Sequence, residues 1–155
     1  MAAEKLHFIT TGFIASVKKL TPGTSAKWGK MNAQQMIEHV TGFFKVSSGE
    51  LQFDLVTPEE HLPKFKEFLV SDKEFRENTK APLTVIGEET LPLRHSNMEA
   101  AITALEKSIK EFVDHFAPDK NITTLHPVFG SLNFDEWVLL HYKHVMHHLK
   151  QFGLM

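Results

Sequence analysis

The chain has 155 residues, 42% hydrophobic and 23% charged, which is enough for one water-soluble domain with a single core and excludes both a disordered tail and a membrane protein. Its 17 Lys and Arg against 19 Asp and Glu leave a formal charge of -2, with no basic surplus to meet a phosphate backbone, and the lack of cysteine removes disulfides, thiolate metal sites and a thiol nucleophile. The opening MAAEKLHF has no signal-peptide core and no apolar run approaches the ~18 residues that span a bilayer, so residues 1–155 are expected to form one cytoplasmic domain without nucleic-acid or membrane partners.

Leu6, Ile9, Phe13, Ile14, Val17 and Leu20 recur at helical steps and predict a first helix over residues 3–20, ended by Pro22 and Gly23. After a link around Trp28, Asn32 with Gln35 three residues on has the form of a capping box, opening a second helix over 32–46. Met36, Val40, Phe43 and Phe44 form its apolar stripe, and His39 projects from that same stripe. Leu51 to Val56 alternates like a short strand, and Pro58, Pro63 and Pro82 cut the next stretch into short pieces. A short helix over 61–70 and a long crossover over 71–94 are expected there. Ser96 with Glu99 reads as a second capping box, and Met98, Ile102, Leu105, Ile109, Phe112, Val113 and Phe116 predict a helix over 97–116. A loop with His126, Pro127, Phe129 and Gly130 leads to a third capping pair, Asn133 and Glu136, and a last helix over 133–152. Four long helices with an irregular crossover between the second and third predict an all-α fold, a four-helix bundle.

The last helix carries the chemistry. Phe134, Trp137, His141, His144, His148 and Phe152 lie close to one face, so histidines stand where aliphatic side chains would be expected in a buried stripe. At about 100° per residue His144 and His148 are about 40° and one turn apart, close enough for both rings to reach one ion, whereas His147 points about 100° away from His148. A lone buried histidine usually bonds a carbonyl, but several together each need a partner, at ~1–3 kcal/mol if unpaired. With His39 they offer three neutral imidazoles suited to a divalent zinc, nickel or iron with coordination positions left open. Spacing alone also leaves His141 with His144 as a competing pair.

The run H-V-M-H-H-L-K-Q-F-G from His144 to Gly153, with W-G-K-M-N-A-Q-Q-M-I-E-H from Trp28 to His39, resembles the DinB-like superfamily of small helical metalloproteins. H-P-V-F-G-S-L-N-F-D-E-W from His126 to Trp137 resembles a branch of it with unknown function, and the stretch from Leu51 to Arg94 matches only loosely. The resemblance implies one such domain over the whole chain, an up-down-down-up bundle, commonly a homodimer. It also implies nickel or zinc held by one histidine of the second helix and an H-x-x-x-H pair of the last, which falls on His39, His144 and His148. Characterised relatives use low-molecular-weight thiols such as bacillithiol or mycothiol, so the resemblance implies a metal-dependent transferase or hydrolase that activates a thiol or water on a small-molecule substrate.

Four further residues are candidates beside such an ion. His141 is the candidate catalytic base or orienting group, with Gln35, Glu38 and His147 behind it, although Glu38 reads more simply as an exposed polar position. His126 is expected to cap the last helix or to line the pocket mouth. Metal retention is expected to weaken below pH about 6, near the ordinary histidine value of ~6.5. The alternative is a non-catalytic helical bundle holding a structural metal, a small ligand or haem, the last of which uses only two axial positions.

Overall fold

In the computed structural model, which describes residues 2–76 and 93–155, the chain is mostly helical with one two-stranded sheet. Most of the expected crossover, residues 77–92 with Pro82, lies outside the described residues.

The first helix, α1, runs over residues 2–17 in three stretches without a break: Ala2–His7, a π-helical turn Phe8–Gly12, and Phe13–Val17. A Cβ on Gly12 would stand 2.7 Å from the Phe8 ring, so the missing side chain is what lets that ring lie against the widened turn. α1 buries Ile9, Phe13, Ile14 and Val17, four of the residues that its stripe predicts. α2, Ala33–Ser47, starts at the predicted capping box: Asn32 accepts from the Gln35 N–H, and the Gln35 side chain accepts from the Asn32 N–H.

Leu51, Phe53 and Leu55 are half-buried and the residues between them exposed, as the alternation predicts, but no strand forms. The Leu51 N–H turns back to the Lys45 carbonyl of α2, and the Val56 N–H crosses to the Pro127 carbonyl, two isolated bonds rather than a ladder. Alternation records one packed face, and a strand also needs a ladder partner. A 3-10 turn, Glu59–His61, leads into α3, Leu62–Val70.

α4, Met98–Phe116, begins one residue later than predicted. The Asn97 side chain accepts from the Ala100 N–H, so Asn97 is the cap and Ser96 with Glu99 is not a capping box. The expected loop before the last helix is instead a hairpin, β1 Thr124–His126 against β2 Gly130–Leu132, antiparallel with Leu125 opposite Ser131. Three-residue strands are too short to leave a period-2 pattern. α5, Phe134–Gln151, opens at the predicted box of Asn133 and Glu136.

α2 packs chiefly against α4 and also touches α5, while α1 lies against α5. Met36, Ile37, Val40 and Phe44 of α2 meet Leu105, Phe112 and Phe116 of α4 and Trp137, Val138, Val145 and Leu149 of α5 in one core. No helix among the described residues is long and apolar enough to cross a membrane.

Candidate metal centre

His39 from α2 and His144 and His148 from α5 come together at the contact of the two helices. One ring nitrogen from each lies within 4.8 Å of the others. The contacts are tighter in detail, with His144 Nε2 3.0 Å from His39 Nε2 and 3.0 Å from His148 Nε2. His148 is buried, while His39 and His144 keep partial exposure.

The protons on these rings can be followed from outside inwards. Gln151, one turn beyond His148 and 3% exposed, donates from Nε2 to the Trp28 carbonyl at 2.9 Å. Its Oε1 is then the acceptor for Nδ1–H of His148 at 2.6 Å. A neutral His148 with its proton on Nδ1 turns a bare Nε2 lone pair inwards. Gly29 makes room for this link: its φ is +82°, and a Cβ there would stand 2.8 Å from Gln151 Nε2.

His144 Nε2 now faces two nitrogens with one in-plane site, either a proton or a lone pair. It cannot make both short contacts as hydrogen bonds at once. A cation that accepts a lone pair from each ring removes the conflict, so the donor set fits a divalent first-row metal. Burial keeps the rings neutral, as ligands must be: it pushes His39 down to about 4, with His147 adding to the shift, and holds His144 and His148 well below the usual histidine value. Phe43 sets its ring edge-on to both His39 and His144, an apolar wall on one side.

The other candidates are engaged elsewhere. His141, expected beside the ion, is 1% exposed; its Nε2 lies 2.9 Å from Ser47 Oγ, and its ring is stacked between Phe44 and Trp137. It is a core histidine paired to a hydroxyl. His126 does not cap α5: its Nδ1 accepts from the N–H groups of Val128 and Phe129, and so it closes the hairpin turn. Glu38 is not simply exposed, since its carboxylate accepts from the N–H groups of Arg94 and His95 and from Gln34 Nε2, tying the chain ahead of α4 to α2. Gln35 serves the α2 cap. His147 turns away as its spacing predicts, packing edge-on to Trp28, Phe75 and His148. Gln151 is not among the residues that the spacing singles out, and its place three residues after His148 is the signal that points to it.

A family model described as "Protein of unknown function (DUF1569)" matches residues 3–155. No curated protein and no solved structure matches the chain.

Proposed function

The chain belongs to the DUF1569 family, and for this member we propose a metal-dependent enzyme of the DinB-like kind, binding nickel or zinc through His39, His144 and His148 and catalysing S-transfer or hydrolysis. The observation that carries the reading is the meeting of three Nε2 atoms, two of the contacts at 3.0 Å, in a group without a carboxylate. A divalent ion bound there supplies Lewis acidity, lowering the pKa of a thiol or water towards neutrality.

The residues supply the rest. Three neutral rings leave the full positive charge of an ion uncompensated, which favours an anionic fourth ligand such as a thiolate. Gln151 fixes the tautomer and the plane of His148, and Phe43 shields one side. Glu38 and His141 are left out as bases because each is already bonded. The reading includes a four-helix, up-down-down-up bundle formed by α1, α2, α4 and α5, a homodimer, and a low-molecular-weight thiol as cosubstrate.

Metal analysis of protein prepared without a histidine tag tests it. One equivalent of nickel or zinc is expected, and the visible spectrum of the cobalt-substituted protein should change on addition of a small thiol or azide. Less than a tenth of an equivalent after incubation with either metal would overturn the site. A cobalt spectrum indifferent to every added ligand would overturn the catalytic reading and leave a structural ion.

Burial also revises the expected acid limit. A histidine whose pKa is lowered stays unprotonated further into acid, so protons compete with metal less near pH 6 than for an exposed ring. Metal should be retained at pH 5.5 and released towards pH 4, followed by the metal left after gel filtration at each pH. Half-release at the ordinary value of ~6.5 would contradict it.

A further inference from the structure

The side of α5 that faces away from His144 and His148 lines a second site. Tyr142, Lys143, Met146, His147 and Lys150 lie about 160–300° around the helix from His144, and they form one wall of a cavity of about 670 Å³. None of the three grouped histidines lines it, so the proposal for this cavity does not require a metal at them.

The cavity gathers amines. Lys5, Lys27, Lys73, Lys143 and Lys150 border it, against the carboxylates of Asp72 and Glu74 alone among acidic side chains of the described residues. Glu74 is already taken by the Lys150 ammonium. Lys143 is buried, donating to the Ser71 and Lys73 carbonyls over the Phe68 ring, and this holds the 71–75 segment on α5. Lys5 stands 5.2 Å from the centre of the Tyr142 ring. Among the described residues no ion pair joins Lys5, Lys27 or Lys73 to an acidic side chain, so three amines face one cavity in which Asp72 is the remaining acidic side chain. In a chain of net charge -2 such a concentration of uncompensated amines is a local exception.

The walls between the amines are aromatic and apolar: Trp28, Phe75, Tyr142 and Met146. The buried indole N–H of Trp28 has no acceptor among the described residues. A volume of this size suits a small molecule, and lysines recognise phosphate or carboxylate as point charges. We propose that this cavity binds a small organic anion, a phosphate ester or carboxylate with an aromatic or aliphatic body, its charge on Lys5, Lys27 and Lys73 and its body against Trp28 and Phe75.

Trp28 is a built-in reporter, because the other tryptophan, Trp137, is fully buried in the core. Phenyl phosphate, phenylacetate and benzyl alcohol would be titrated into the full chain at low salt, following tryptophan emission and, in parallel, binding heat. Saturable binding of one or both anions is expected, with the stronger one naming the headgroup, and none of benzyl alcohol. In the combined variant Lys5→Gln, Lys27→Gln, Lys73→Gln, affinity should fall about tenfold or more with an unchanged melting temperature. If the melting temperature drops, each single variant is measured, and a loss of affinity in folded Lys27→Gln or Lys73→Gln carries the same conclusion. No saturation by either anion up to about 10 mM, equal affinity for benzyl alcohol, or unchanged affinity in the folded variants would overturn the proposal.

Discussion

Replacing His144 with alanine is expected to reduce bound metal from one equivalent to less than a tenth while the helical circular dichroism is kept. His144 is the member whose Nε2 touches both others at 3.0 Å, so its loss leaves two nitrogens on separate helices. The core does not depend on it: Val145 and Leu149 beside it are fully buried in apolar contacts, whereas His144 retains partial exposure. His39→Ala and His148→Ala should act alike, and His147→Ala should leave metal content unchanged because its ring packs on Trp28 and Phe75. Gln151→Leu is the sharper probe. It keeps the bulk but removes the acceptor that holds His148 Nδ1–H, and metal affinity should fall about 10–100-fold with all three ligands still present. Competition against a chromophoric chelator measures both effects. Full metal occupancy in His144→Ala would remove the assignment, and wild-type affinity in Gln151→Leu would remove the orienting role.

Metal-free protein is expected to lose stability steeply between pH 6.5 and 4. His126 is buried and its pKa is pushed down to about 3, and burial holds His141 well below the ordinary value, with His126 adding to that shift. Above ~6.5 the unfolded and folded chains both carry these rings neutral, and the fold has its full stability. Below it the unfolded chain takes up protons that the fold refuses, so stability falls with pH by about 1.4 kcal/mol per unit for each such histidine, until the folded value is reached. His126 alone removes about 3 kcal/mol by pH 4.5, a large share of the stability of many domains, and His141 adds in the same direction. His39, His144 and His148 act in the same direction when no metal is bound. Urea unfolding midpoints at pH 7.5, 6 and 5 would show the slope. His126→Asn, whose side-chain oxygen can still accept from Val128 and Phe129 but cannot titrate, should flatten it by about 1.4 kcal/mol per unit. A midpoint independent of pH across that range would contradict the buried, neutral state of these rings.

The amino-acid sequence determined the four long helices by itself, because a stripe at steps of three and four and a side chain that reaches its own first turn are both local. Asn32 with Gln35 and Asn133 with Glu136 close where the spacing puts them. Spacing also placed His39 on the buried side of α2, and His144 and His148 together on α5. It left His141 as an equal partner for His144, and the tertiary structure decides between them: the Ser47 hydroxyl at the end of α2 takes His141, while His39, two turns earlier, meets the other pair. No property of α5 alone fixes that choice, since it depends on how α2 crosses it. The same holds wherever a polar group has several possible partners. Glu38 finds backbone N–H groups 56 and 57 residues away, Gln151 finds a carbonyl 123 residues back, and His126 serves its own hairpin turn rather than the last helix. Periodicity records which side of an element is covered, whereas hydrogen-bond partners are set by competition among groups that only the packed chain brings together.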